Sequence, residues 1–281
     1  MKPKEHGDDK FARFVCSLNL DGLTGTRIIL WLLALTLVSF AIGFGLLALS
    51  GDFPPPSDRS GSPFRTNAMA APNVTVIALD GAPEGRVSMT MGAGELTVRG
   101  GAPADALAVA TVFSRAREWQ PDIIPSLLGT TRSVSITDRG HKGKEWFAVH
   151  SPNRWEILLN DRAPLELKVE LGAGDGRLDL GSLNLKRFSV HSGAGETRID
   201  LGGYSGMPFS GEVHNGVGDL TLVIPADSNT RITVQQGVGD IKNNGLEQLD
   251  EHFITGRYNP SLPANEILVS QGLGDITLEA V

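Results

Sequence analysis

Cysteine is all but missing, with Cys16 the single example in 281 residues. One thiol excludes an intramolecular disulfide framework and any zinc site built on a cysteine cluster. Positive charge is short as well, since 25 Lys and Arg against 32 Asp and Glu leave a formal net charge of −7. That balance argues against a phosphate-binding surface, so no nucleic acid is expected as a partner. Aromatic residues make up only 6% of a chain that holds 34 glycines, a composition suited to repetitive β architecture. Catalytic words are lacking too: there is no Gly-x-Ser-x-Gly elbow, no His-Glu-x-x-His pair and no phosphate loop. The sequence therefore points away from an enzyme, and no cofactor or small-molecule substrate is expected. A β-helical polysaccharide-active enzyme, the natural enzymatic alternative, would need an unequal pair of acids or bases beside a groove.

What is abundant is one short word. It reads "MGAGE" from Met91, "LGAGD" from Leu171, "SGAGE" from Ser192, "NGVGD" from Asn215, "QGVGD" from Gln236 and "QGLGD" from Gln271. The glycine pairs are Gly92 and Gly94, Gly172 and Gly174, Gly193 and Gly195, Gly216 and Gly218, Gly237 and Gly239, and Gly272 and Gly274. From Gly172 to Gly237 the copies follow at spacings of 21, 23 and 21 residues, while longer excursions isolate the first and last. Apolar residues recur at every second position on both sides, for example Leu167, Val169 and Leu178, or Ile267, Val269, Ile276 and Leu278. Period two is the signature of a half-buried strand. The expected fold is all-β, a β-solenoid-like stack of short strands meeting at Gly-φ-Gly-Asp/Glu corners. The glycines are assigned a structural role, because a sharp bend between stacked strands often needs positive φ.

The acids that close each word, Glu95, Asp175, Glu196, Asp219, Asp240 and Asp275, fall on the outward register. Stacked rungs would place equivalent acids about 4.8 Å apart, where like charges repel unless compensated. One reading has each carboxylate accept hydrogen bonds from corner amides, with Arg177, Arg198 and Lys242 two residues further on sharing the charge. The other is a calcium ladder through Asp175, Glu196, Asp219, Asp240 and Asp275. The calcium-binding nonapeptide G-G-x-G-x-D has a much shorter period, which favours the first. His191 and His214 occupy equivalent places two residues before the glycine, so stacking could bring their rings together. Such a pair could bind a metal, but no third ligand recurs at that position, and solvated surface histidines are the expectation. Ser192, Asn215, Gln236 and Gln271, directly before the glycines, read as a hydrogen-bonded ladder from rung to rung, with a polar recognition stripe as the alternative.

Ahead of the repeats, residues 28–49 form an uncharged apolar run of 22 residues. As a helix it would be about 33 Å long, enough for a hydrocarbon core of roughly 30 Å. A transmembrane helix is expected there, preceded by a short cytoplasmic segment at 1–27. The run is too long for the core of a cleaved signal peptide. Lys2, Lys4, Lys10, Arg13 and Arg27 precede the span and only Arg59 and Arg65 follow it before residue 70, so the positive-inside tendency puts the repeats outside the cell membrane. A Pro/Ser/Gly-rich linker at 50–72 then leads to the β domain at 73–281.

The long excursion between the first two copies holds further strand candidates at Leu107–Phe113, Arg132–Thr137 and Trp155–Leu159, with turns at "REWQPDII" and "DRGHKGKEW" between them. Next comes "NRWEILLNDRAPLELKVELGAGDGRLDLGSLNLKRFSVHSGAGETRIDLG", Asn153–Gly202. This passage resembles the toast-rack domain of bacterial membrane-associated proteins, the group that includes the cell-wall-active antibiotic response (LiaF-like) proteins. With "MGAGELTVRGGAP" and the later copies the resemblance extends over roughly residues 73–281. It implies a solenoid-like stack outside a membrane span, in envelope stress sensing or signalling and without catalysis. The expectation is thus an integral membrane protein whose β domain binds an envelope protein or its own copies. The alternative is a structural or adhesive solenoid that self-assembles, since the chain stops right after the last repeat strand, "DITLEAV", and an uncapped edge invites pairing.

Overall fold

The computed structural model describes residues 72–114, 120–138 and 153–281. The apolar run at 28–49, the segment before it and the linker through residue 71 lie outside these residues, as does nearly all of "DRGHKGKEW". The described residues belong to one compact unit, Asn67–Val281, and every regular element among them is a strand.

In chain order, β1 (Asn73–Ala78) precedes β2 (Glu84–Gly100), which carries the first copy of the repeat. The excursion supplies β3 (Ala106–Phe113), β4 (Asp122–Leu128), β5 (Thr131–Thr137) and β6 (Arg154–Leu159). The second copy lies on β7 (Leu165–Asp179), which, like β2, stays hydrogen-bonded through its corner. Later copies split there, into β8 (Leu185–Ala194) with β9 (Thr197–Asp200), β10 (Ser210–Val217) with β11 (Leu220–Ile224), and β12 (Thr230–Val238) with β13 (Ile241–Asn244). A small hairpin, β14 (Glu247–Leu249) and β15 (His252–Ile254), comes before the last copy on β16 (Asn265–Leu273) and β17 (Ile276–Ala280).

The six copies are parallel rungs stacked in exact repeat register: Ala93 pairs with Ala173, Ala173 with Ala194, Ala194 with Val217, Val217 with Leu273, and Leu273 with Val238. Spatial order departs from chain order at the end. After β11 the chain skips one rung, lays down β12 and β13, and returns to slide β16 and β17 into the gap. The terminal "DITLEAV" strand is therefore internal, paired with β11 on one side and β13 on the other. This corrects the expectation of an open edge at the last repeat. The end rung is the fifth copy, which β15 covers only along Arg231–Thr233. At the opposite end β5 and β6 pair with the two halves of β2, and β4, β3 and β1 continue outward from them to finish in the edge strands β4 and β1.

The strand candidates of the excursion are β3, β5 and β6. The stretch "REWQPDII", expected as a turn, is a strand from Asp122 onward, pairing with β5. Pro125 conceals that strand in the sequence, yet it is tolerated because, among the described residues, β4 pairs on one side only, with β5.

Inward-facing side chains of both arms fill the space between them: Val87, Met89, Leu96 and Val98 in the first rung, Phe188, Val190 and Ile199 in the third, and Ile267, Val269, Ile276 and Leu278 in the fifth, all at most 2% exposed. Burying each such aliphatic side chain contributes about 1.5–3 kcal/mol before chain entropy is subtracted. The return loops close the third side of the core. In 201–209 Tyr204 and Phe209 are buried with rings edge to face at 4.8 Å, and the Tyr204 hydroxyl donates to the Leu185 carbonyl at 3.2 Å. One size exchange between rungs stands out: Phe188 lies opposite Gly211, and its ring occupies the place a side chain on Gly211 would take.

Candidate functional site

In each corner the second glycine, whose Cβ would strike the backbone of a neighbouring segment, carries a further demand. Only the second has positive φ, between 121° and 144° at Gly94, Gly174, Gly195, Gly218, Gly239 and Gly274. The first glycine is required by stacking. A Cβ on Gly172, Gly193, Gly216, Gly237 or Gly272 would run into the corner carbonyl of the adjacent rung, whereas Gly92, at the stack's beginning, would meet only the Asp138 side chain at 3.3 Å. Strands can approach this closely at a bend only when no side chain stands between them.

Beside the corners the acids form a row bonded along the stack. Asp175 accepts the amide hydrogen of Glu196 at 3.2 Å, Asp219 that of Asp275 at 3.1 Å, and Asp275 that of Asp240 at 3.1 Å. The donors are the acids' own backbone amides one rung along. Of the cations expected to share the charge, Lys242 reaches across to Asp275 at 2.8 Å, while Arg198 turns to Asp200 and Glu279 at 3.5 and 3.7 Å. Among the described residues the acids do not converge into a group of three metal-ligating side chains.

Lys242, with the Asp240 amide, holds the Asp275 carboxyl below its ordinary value of 3.8. A depressed folded pKa means this contact stabilises the end rungs at neutral pH and is lost as pH falls through the lowered value. Hydrogen-exchange protection of the Asp240 amide should therefore step down in acid below 3.8, and Asp275→Asn should abolish the step. A step that persists in Asp275→Asn would assign it to another carboxylate.

On the inner register Asn215, Gln271 and Gln236 bond across the rungs, whereas the buried Ser192 hydroxyl, expected in the same ladder, makes no hydrogen bond because its short side chain does not reach the next rung's carbonyl. The Asn215 side-chain amide donates to Gln271 Oε1 at 3.1 Å, Gln271 Nε2 to the Gly218 carbonyl at 2.8 Å, and Gln236 Nε2 to the Gly274 carbonyl at 2.9 Å. These amides satisfy carbonyls that point into the bend, where no strand partner reaches them.

The outer side of the same corner is an open groove of about 930 Å³ that crosses all six rungs. Its floor is the row of first glycines, and one wall is the row two residues earlier, in spatial order Thr90, Glu170, His191, His214, Ser270 and Gln235. Exact register puts His191 directly beside His214, with ring centroids 4.7 Å apart and edge to face. Glu212, one outward position before His214 on β10, places Oε1 2.7 Å from His214 Nε2. That hydrogen bond holds Glu212 below the usual carboxylate range, and Lys168 at 2.7 Å does the same for Glu170. Looking for a third ligand at the same position of each repeat misses Glu212. The signal was the alternation within one strand, Glu-Val-His, which puts residues 212 and 214 on one face.

Comparison with known proteins places these features in context. The family model for the N-terminal domain of toast_rack, DUF2154, matches residues 68–223. It ends at β11, before the two rungs that interleave. A crystal structure of a candidate cell adhesion protein from Clostridium sporogenes ATCC 15579 is similar over 75% of this chain and 99% of that one, at 25% identity and a TM-score of 0.70. A candidate adhesin from Bacteroides fragilis NCTC 9343 matches 74% of this chain and 97% of its own, at 10% identity and a TM-score of 0.31. At that score the likeness carries no argument. No curated protein matches the chain in sequence.

Proposed function

Because the chain belongs to the toast-rack family, we propose that it is a non-enzymatic interaction protein, anchored in the membrane by the apolar run at 28–49 and presenting its rung stack outside. Its partner would be another envelope protein, and its role the sensing or signalling of cell-envelope stress. The observation that carries this reading is the groove. It is long and open, floored by backbone and walled by one side chain from each rung, a shape suited to an extended segment of another protein and poorly suited to enclosing a small substrate. The likeness to the Clostridium protein supports an adhesive, binding role.

Deleting the gene in its host should alter the induction of an antibiotic-stress reporter, and the full chain should restore it. Ser270→Trp, which places a large ring in the groove, should restore the protein's level but not the response. An unchanged reporter on deletion rejects the signalling role.

A second reading, self-assembly, is favoured by the end rung. There Val238 is 67% exposed and Ile241 39%, and among the described residues β13 pairs with β17 alone. Light scattering of the purified full chain should then show mass growing with concentration, and Val238→Lys should stop the growth. A constant monomer mass rejects this reading.

A further inference from the structure

The His191, His214 and Glu212 cluster is a constellation that the proposed function leaves unused. Two imidazoles and one carboxylate offer ligand atoms that all lie within 4.8 Å of one another. We propose that these three residues form a binding site for a zinc-class divalent metal ion, with at least one coordination position open to the groove.

The donor set is the first argument. Imidazole nitrogen with carboxylate oxygen selects zinc and its first-row neighbours over calcium or magnesium, which prefer oxygen alone. Two histidines and a glutamate are also a ligand set that leaves a zinc ion with a free position.

Geometry is the second. Bonds of about 2.0–2.1 Å in a tetrahedral site bring ligand atoms to roughly 3.4 Å from one another. No present separation is more than 4.8 Å, and the side chains are free to close the difference. His214 and Glu212 are 40% and 50% exposed, and His191 is exposed as well. Their Cα positions are fixed by parallel pairing of β8 with β10, so closing the site needs side-chain rotation alone. The existing 2.7 Å contact between Glu212 and His214 Nε2 shows that the carboxylate already reaches the ring nitrogen a metal would take.

The surroundings are the third. Glu170 stands beside His191 in the neighbouring rung, adding negative charge on the far side, partly offset by its ion pair with Lys168. Beneath the rings Gly193 and Gly216 leave the groove floor without side chains, so the open position faces the channel. A bound ion would clamp the third rung to the fourth and present a Lewis acid to whatever lies in the groove.

The test is titration of the full chain, stripped with a chelator that is then removed, with zinc chloride by calorimetry and with cobalt(II) by absorption. One equivalent of zinc should bind. His191→Ala, His214→Ala and Glu212→Gln should each weaken binding at least tenfold, and the intense visible bands of low-coordinate cobalt should vanish in the two histidine variants. Circular dichroism should show the variants folded, since none of the three side chains is buried. Absence of saturable binding, or binding undiminished in the chain lacking both histidines, overturns the proposal.

Discussion

Gly174→Ala should unfold the rung stack or cost it more than about 4–5 kcal/mol, the range reserved for exceptional substitutions. Two independent penalties meet at this position. With φ at +121°, a residue with a Cβ pays backbone strain of about 1–2 kcal/mol. The added methyl would also overlap the Gly94 carbonyl of the first rung, and that contact is backbone against backbone, so no side chain can rotate away. Relief requires the first and second rungs to separate, which breaks the pairing of β2 with β7 and opens the core between them. Against a domain stability of about 5–15 kcal/mol that is most of what holds the fold. Gly129→Ala separates the two penalties. Gly129 has φ +62° with nothing near its missing Cβ, so only the strain applies and the loss should stay near 1–2 kcal/mol. Urea unfolding of the full chain, followed by the β signal in circular dichroism, measures both. Equal losses would show that rung proximity contributes nothing.

Phe188→Ala should cost about 3–5 kcal/mol, as for other fully buried aromatic truncations. The ring is 0% exposed and packs against Phe209 with centroids 5.6 Å apart. It fits because Gly211, opposite it on the next rung, has no side chain. Gly211→Ala in the normal chain should therefore be destabilising through overpacking, by roughly 1–3 kcal/mol. In a chain already carrying Phe188→Ala the same change should cost much less, because the methyl enters vacated space. The double-mutant cycle should show coupling within the 0.5–3 kcal/mol typical of residues in contact. Additive losses would mean that Gly211 is there for a reason unrelated to the ring.

These two sites illustrate different degrees of legibility. The corner glycines were readable because six copies of one word repeat the same local demand, and repetition separates a backbone requirement from chance. That the second glycine answers both demands and the first only the stacking one was not readable. Positive φ is a property of one residue's backbone, whereas close approach is a property of two rungs. Phe188 and Gly211 were visible as equivalent positions, but that the large residue fills the space left by the small one depends on the two being stacked neighbours. The acids' partners show the same division. Outward placement followed from alternation, but Lys242 chose Asp275 across the rungs over its own Asp240.

Residue order along the chain was enough to specify an all-β repeat, its six rungs, their inward and outward faces and the position of every corner, because strand periodicity and glycine chemistry act over a few neighbouring residues. It could not specify the order in which the rungs stack. All six copies offer nearly the same pairing edge, so local pattern does not distinguish an internal rung from an end one. Only the folded arrangement decided that the last copy slides between the fourth and fifth, that β12 and β13 form the rung at one end, and that Glu212 joins His191 and His214. Those choices rest on how the return loops span one rung or two and on which side chains meet across them, contacts between residues far apart in the chain.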